Sequence, residues 1–145
     1  MEPGSAVNYI NGTFKVVVAD DETGTRSLLR DVVRAIGGQV VEVSSGQGAI
    51  SEVLNAGADL VLTDLMMPNL DGFAVCRALK SDPSTFHVPI FLITGLAEDV
   101  AVEVALDAGA DDVIFKPLKV RELQLRIRNA VNRKRFIDSL RGADI

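Results

Sequence analysis

The chain has 145 residues, of which 48% are hydrophobic and 24% charged, the size and composition of one globular domain. No apolar run reaches the roughly 18 residues that a membrane span needs, and the N-terminal stretch lacks the basic and apolar regions of a signal peptide. A single cysteine cannot form an internal disulfide. These features predict a cytoplasmic protein without a membrane segment.

The charge is unevenly distributed along the chain. Residues 1–115 carry 17 acidic and 6 basic side chains, a net charge of −11, whereas residues 116–145 carry 3 acidic and 9 basic ones, a net charge of +6. An acidic body argues against nucleic-acid binding by the main domain. We interpret the basic tail, in which Phe136 is the only aromatic residue, as a solvated helix face.

Short apolar runs alternate with longer amphipathic segments from residue 14 onward. The runs predict strands at 14–19, 40–43, 60–63, 88–93 and 113–115. The amphipathic segments predict helices at 25–36, 47–56, 72–80, 97–108 and 120–140. Strands that alternate with helices predict an α/β domain with a parallel sheet covered on both faces. Ligands of such sheets bind beyond the carboxyl ends of the strands.

Acidic, basic or threonine side chains follow four of the five predicted strands. Asp20 and Asp21 follow the first strand, Asp64 the third, Thr94 the fourth and Lys116 the fifth. Three converging carboxylates repel one another, and Mg²⁺ is the cation that suits them because it accepts a few carboxylates and keeps several waters. An amine and a hydroxyl beside them would bind phosphoryl oxygens while a carboxylate attacks phosphorus.

Together these residues resemble the receiver domain of two-component response regulators, of the chemotaxis-regulator type. The resemblance covers about residues 14–135. The motifs that carry it are, in chain order, Asp20-Asp21, Asp64, Met67-Pro68, Asp71-Gly72, Thr94, GADD at 109–112 and Lys116-Pro117. The resemblance implies a flavodoxin-like (βα)5 fold, a doubly wound five-stranded parallel sheet with strand order 2-1-3-4-5.

The resemblance also implies a function. A sensor histidine kinase or a phosphotransfer protein would transfer a phosphoryl group to Asp64, which would switch the surface around the fourth helix, the fifth strand and the fifth helix. Thr94 and Lys116 would contact the phosphoryl group, and the Lys116–Pro117 bond would be cis. The implied Mg²⁺ ligands are Asp20, Asp21, Asp64 and the backbone carbonyl of Met66. Such a protein is not an enzyme but a phosphoacceptor that assists its own phosphorylation and dephosphorylation.

Three positions depart from the family pattern. Receivers commonly carry a tyrosine or phenylalanine where this chain has Val113, so the usual coupling between Thr94 and an aromatic ring is not predicted here. Phe115, two residues later, is expected to point to the same face as Val113. Met66 and Leu96 are apolar at positions that often carry polar side chains orienting a hydrolytic water, which predicts slow self-dephosphorylation.

The predicted domain organisation is an N-terminal tail over 1–13, a receiver domain over 14–135 and a helical extension over 136–145. The last helix carries an apolar stripe at 3-4 spacing, made up of Val120, Leu123, Ile127, Ala130 and Ile137. This helix is longer than the sheet requires. The extension is interpreted either as a linker to an output domain or as a handle for a phosphorylation-linked homodimer.

Two other functions are compatible with parts of the pattern. A Mg²⁺-dependent phosphohydrolase of the haloacid-dehalogenase class also forms an aspartyl phosphate, but it carries D-x-D after its first strand, whereas Asp20 and Asp21 are adjacent. A degenerate receiver would act as a phosphorylation-independent docking module. The intact acid pair, Asp64 and Lys116 argue against it.

Overall fold

A computed structural model of the protein describes residues 12–95 and 98–142. The strands are β1 (Phe14–Ala19), β2 (Gly38–Val43), β3 (Leu60–Asp64), β4 (Ile90–Thr94) and β5 (Asp112–Phe115). The helices are α1 (Thr23–Arg34), α2 (Gly46–Ala56), α3 (Gly72–Lys80), α4 (Glu98–Ala108) and α5 (Val120–Gly142). All ten predicted elements are present, with ends shifted by one or two residues. The strand predicted to start at 88 starts at Ile90, after Pro89, which has no N–H to donate to a ladder.

The five strands form one parallel sheet in the order β2-β1-β3-β4-β5, which confirms the predicted topology. Ala19 at the end of β1 pairs with Thr63, so Asp20 and Asp64 are the next residues on neighbouring strands. Thr94 at the end of β4 pairs with Phe115 at the end of β5. The register therefore brings the predicted site residues to one edge of the sheet.

Two hydrophobic layers cover the two faces of the sheet. One layer is built on α2, α3 and α4, and its buried helical residues are Ala49, Val53, Val75, Cys76, Leu79, Ala105 and Ala108. The other is built on α1 and α5, and its buried helical residues are Leu29, Val32, Val33, Leu123, Ile127 and Val131. The strands supply apolar side chains to both layers, which is why they appear in the sequence as continuous apolar runs.

The sequence Ala-Gly-Ala-Asp occurs twice, directly before β3 and directly before β5. In each copy the glycine has a positive φ, 74° and 90°. The aspartate accepts a hydrogen bond from an N–H at the start of a neighbouring strand. Asp59 accepts from the N–H of Lys15 on β1 at 2.8 Å, and Asp111 accepts from the N–H of Ile90 on β4 at 2.8 Å. These two aspartates therefore satisfy backbone N–H groups at the amino edge of the sheet.

Helix α5 runs for 23 residues without a break at residue 135, a length of about 35 Å. Leu123 and Ile127 of the predicted stripe are buried, but Val120 and Ile137 are exposed, so the stripe covers the sheet only in the middle of the helix. Beyond the apolar part, Lys134 lies 3.4 Å from Asp59. No helix in the described part of the chain is long and apolar enough to cross a membrane.

Candidate functional site

Three carboxylates converge at the carboxyl edge of the sheet. Asp20, Asp21 and Asp64 each offer an oxygen within 4.8 Å of those of the other two. Asp20 and Asp64 are buried, whereas Asp21 is exposed. The parallel register causes this convergence, because β1 and β3 are adjacent and end at the same level. The predicted convergence of the three acids is confirmed.

Asp20 lies in an environment that disfavours its own charge. Its side chain is 2% exposed, and Oδ1 accepts a hydrogen bond from the N–H of Glu22 at 2.9 Å. Among the described residues, nothing donates a hydrogen bond to the buried Oδ2. Burial raises the pKa of Asp20, and the charge of Asp64 raises it further, against the opposing effects of the Glu22 N–H and Lys116. A cation bound beside Asp20 would stabilise the charged form of this carboxylate.

Lys116 lies beside the Asp64 carboxylate. Its Nζ is 3.2 Å from Asp64 Oδ1. The lysine backbone is fixed to the neighbouring strand, since the Lys116 N–H donates to the carbonyl of Thr94 at 2.8 Å. The Lys116–Pro117 peptide bond is cis, as predicted. Lys116 can offset only one of the three acidic charges, and the carboxylate cluster keeps a net negative charge that favours a divalent ion.

The remaining predicted site residues lie at the same edge of the sheet as the acids. Thr94 is buried at the end of β4, one strand over from Asp64. Met66, two residues after Asp64, has a side chain that is 65% exposed, so its surroundings are open to solvent. Gly72 opens α3 against this loop, and a Cβ there would lie 2.8 Å from the carbonyl oxygen of Asp64. Glycine at 72 is thus required by close packing behind the central carboxylate.

The chemistry of this donor set fits Mg²⁺. The ligands are hard carboxylate oxygens, the type Mg²⁺ prefers, and Asp21 leaves the solvent side open for the waters that the ion retains. The buried Asp20 Oδ2 is an acceptor for which the described protein supplies no donor. Beside the cation position stand an amine and a buried hydroxyl, so the arrangement is suited to hold a phosphoryl group next to a nucleophilic carboxylate.

A family sequence model described as "Response regulator receiver domain" matches residues 16–128. The chain belongs to the response regulator receiver domain family.

Curated relatives agree with this assignment. Over 119 residues the chain is 37% identical to the DNA-binding response regulator MtrA of Mycobacterium tuberculosis, which covers 82% of this chain and 51% of that protein. A probable transcriptional regulator, ycf27, of Porphyridium aerugineum is 38% identical over 82% of this chain and 48% of its own length. The receiver domain described here spans about half the length of these relatives.

Solved receiver domains share the fold. The receiver domain of sensor histidine kinase PA1611 from Pseudomonas aeruginosa PAO1, whose structure has a magnesium ion coordinated in the active site cleft, superimposes with a TM-score of 0.77 at 26% identity, covering 84% of this chain and 99% of that one. The signal receiver domain of a histidine kinase from Syntrophus aciditrophicus gives a TM-score of 0.77 at 29% identity, covering 82% and 90%. The receiver fold, and with it the two-component class, is established.

Within the receiver fold, the departures from the family pattern have clear positions. Val113 is half-buried and packs against the layer formed by α2, α3 and α4. Phe115 is also half-buried and lines a cleft with Lys116 and Pro117. Leu96 lies outside the described residues.

Two polar contacts at the site were missed by sequence reasoning. The buried Thr63 hydroxyl donates to the carbonyl oxygen of Asp64 at 3.0 Å, and the guanidinium of Arg26 donates to the carbonyl oxygen of Asp20 at 2.8 Å. A threonine inside an apolar strand and an arginine on an amphipathic helix are both ordinary in sequence, and no spacing rule singles them out. Both contacts hold the backbone of an acid rather than its carboxylate.

Proposed function

We propose that this receiver domain accepts a phosphoryl group on Asp64 from the phosphohistidine of a sensor histidine kinase or a phosphotransfer protein. In the reaction an Asp64 carboxylate oxygen forms a bond to phosphorus while the bond between phosphorus and the histidine nitrogen breaks. The imidazole leaves with the electron pair, and Asp64 carries an acyl phosphate. The domain assists this step and the later hydrolysis, as a phosphoacceptor rather than a turnover enzyme.

The observation that supports the proposal is the position of Lys116 Nζ, 3.2 Å from an Asp64 oxygen, in a cluster where three carboxylates lie within 4.8 Å of one another. Lys116 is placed to neutralise charge on a phosphoryl group attached to Asp64. The buried hydroxyl of Thr94 would hydrogen-bond another phosphoryl oxygen. Neither role needs a large movement of the strands, since both residues lie at the ends of adjacent strands.

Asp20, Asp21 and Asp64 would hold Mg²⁺, with the backbone carbonyl of Met66 as a further ligand. When bound, the ion supplies charge neutralisation for the phosphoryl oxygens. The chain's own contribution is to hold the three carboxylates close together. Support comes from the unpaired buried oxygen of Asp20 and from the magnesium ion in the related receiver structure of PA1611.

Incubation with acetyl phosphate and Mg²⁺, followed by intact mass measurement, tests the assignment. The wild-type domain is expected to gain about 80 Da, the mass of one phosphoryl group, and Asp64→Asn is expected to gain nothing. Asp107→Asn, at an exposed acid on α4, is the matched control and should be labelled like the wild type. Release of phosphate without any adduct would indicate a hydrolase, and absence of both would indicate a docking module.

We also propose that the phosphorylated domain self-associates through α4 and α5. Large apolar side chains are exposed on these helices: Leu106, Leu125, Phe136 and Leu140. Helix α4 contains four acidic residues and no basic one, whereas α5 is rich in arginine and lysine. Exposed apolar groups on two helices of opposite charge are features that favour pairing with a second copy.

Light scattering of the domain with and without beryllofluoride, an acyl-phosphate mimic, tests self-association. A dimer that forms only with beryllofluoride and is lost in Leu106→Glu supports it. A monomer under both conditions contradicts it.

The relatives are named DNA-binding regulators, but this chain spans about half of their length. With 17 acidic and 6 basic residues over 1–115, the body of the domain is unsuited to DNA. Nucleic-acid binding is therefore not part of the proposed function of this domain.

A cytoplasmic location belongs to the proposal, because the expected donor is a histidine kinase or phosphotransfer protein.

A further inference from the structure

Arg26 on α1 holds the backbone of the acidic loop. Its Nη1 donates a hydrogen bond to the carbonyl oxygen of Asp20 at 2.8 Å, and its Nε lies 3.4 Å from Oε1 of Glu42. The Arg26 side chain is only 18% exposed, so water screens these contacts weakly. Asp20 directly follows β1 and Glu42 lies on β2, so one guanidinium joins the acidic loop to the neighbouring strand.

The backbone of the same arginine closes the loop from the other side. The N–H of Arg26 donates to the carbonyl of Glu22 at 3.0 Å, and the N–H of Glu22 donates to Asp20 Oδ1 at 2.9 Å. The N–H of Asp20 in turn donates to the carbonyl of Val43 at 3.2 Å. The loop is thus anchored to α1 and β2, and the Arg26 side chain is its charged anchor.

This anchor opposes a specific force. Three carboxylates whose oxygens lie within 4.8 Å repel each other and push Asp20 and Asp21 away from Asp64. If the loop were flexible, this repulsion would move the acids apart in the absence of a cation. Cation binding would then have to bring them together again, which would lower the affinity. A charged donor on the Asp20 carbonyl resists that movement without occupying any carboxylate oxygen.

We propose that Arg26 is a positioning residue for the divalent-cation site, keeping Asp20 and Asp21 at the distance from Asp64 at which the three acids share one ion. The inference rests on the proposed function and adds a residue to it. Two effects of Arg26 have opposite signs. Its positive charge alone weakens cation binding, whereas its hold on the loop strengthens binding, so substitution separates charge from positioning.

The test is calorimetric titration of the unphosphorylated domain with Mg²⁺, which suits a protein without tryptophan. Arg26→Gln is expected to weaken Mg²⁺ binding about tenfold, the usual effect of removing a contact that orients a metal ligand. Arg34→Gln removes the same charge from an exposed position in the last turn of α1 and is expected to bind Mg²⁺ like the wild type. Thermal unfolding in EDTA checks that the variants are folded.

Two further variants separate positioning from a general loss of stability. Arg26→Lys keeps the charge but cannot reach both Asp20 and Glu42 with a planar fork, so it is expected to recover only part of the affinity. Glu42→Gln weakens the second anchor and is expected to reduce affinity less than Arg26→Gln, with a non-additive double variant. At saturating Mg²⁺, phosphorylation of Arg26→Gln by acetyl phosphate should return to near the wild-type rate.

Mg²⁺ binding by Arg26→Gln that is equal to or tighter than wild type overturns the role of Arg26 and leaves the proposed function intact. A folded wild-type domain that binds no Mg²⁺ overturns the metal site itself, and the role of Arg26 with it. A Mg²⁺ affinity that falls in Arg26→Gln and is partly restored in Arg26→Lys supports the proposal.

Discussion

Asp59 lies at the amino end of β3 and Asp20 at the carboxyl end of β1, and both carboxylates are largely buried. Burial would raise the pKa of Asp59, but the N–H of Lys15 and the charges of Lys134 and Arg135 outweigh it and lower that pKa. For Asp20, burial prevails, and the pKa is raised. The same residue type is stabilised in its charged form at one edge of the sheet and destabilised at the other.

The difference lies in the donors around each acid. Asp59 accepts a backbone hydrogen bond at 2.8 Å and lies 3.4 Å from both Lys134 and Arg135. Asp20 faces two other acids, and the described residues leave one of its oxygens without a donor. A satisfied buried charge contributes to stability, whereas an unsatisfied one reduces stability and creates affinity for a cation. Asp59 at the amino edge therefore stabilises the fold, whereas Asp20 at the carboxyl edge remains available to bind a cation.

The largest effect is expected from removing the one described lysine beside the three acids. Lys116→Ala should slow phosphorylation by acetyl phosphate about 100-fold, because a charged contact to the phosphoryl oxygens is lost. Lys119→Ala, at an exposed lysine three residues later, should phosphorylate at the wild-type rate. Equal rates for the two variants would contradict the role of Lys116. The rates are measured by intact mass against time.

At the amino edge, Asp59→Asn should lower the free energy of unfolding by about 2 kcal/mol at neutral pH, since two cations and a backbone N–H lose a charged acceptor. The pKa of Asp59 is lowered on folding from 3.8, so its stabilisation is present above that pH and is lost as the pH falls through the lower folded pKa. Urea unfolding between neutral pH and about pH 3 measures this, with exposed Glu103→Gln as the control. A difference that does not narrow in acid would contradict the assignment.

At the carboxyl edge, ionisation of Asp20 is expected to lower the free energy of unfolding, the opposite of the effect at Asp59. The pKa of Asp20 is raised on folding, so its ionisation opposes folding, and stability falls as the pH rises from the unfolded to the folded pKa. Asp20→Asn should therefore raise the free energy of unfolding by about 1 kcal/mol at neutral pH without divalent ions. Saturating Mg²⁺ should stabilise the wild type and not the variant. A variant less stable than wild type in EDTA would refute the contrast between the edges.

The smallest effect concerns the exposed Met66 beside Asp64. Met66→Gln supplies a polar group that can orient a water, and should shorten the lifetime of the acyl phosphate about fivefold, far less than the roughly 100-fold or more of a general base, because a neutral amide does not take up the proton of the water. Met66→Leu keeps the side chain apolar and should leave the lifetime unchanged. Decay of the phosphorylated mass after removal of acetyl phosphate measures both. Equal lifetimes would show that hydrolysis is limited elsewhere.

Sequence reasoning was successful at the carboxyl edge and largely unsuccessful at the amino edge. The convergence of Asp20, Asp21 and Asp64 was predicted because these acids stand at the ends of apolar strands, and the strands of a parallel sheet all end at one edge. The repeated Ala-Gly-Ala-Asp sequence marked the amino edge and could have been recognised as a pair of strand caps. The partners of these aspartates could not have been predicted, because they come from distant parts of the chain.

The sequence by itself determined the order of strands and helices, the family and the acids that meet in one cleft, since apolar runs and the residues that end them are local features. Only the tertiary structure decided which acids are satisfied. Lys134 reaches Asp59 across 75 residues, and Arg26 joins Asp20 to Glu42 on another strand. Such pairings depend on how helices pack on the sheet, and packing brings together residues whose separation follows no local period.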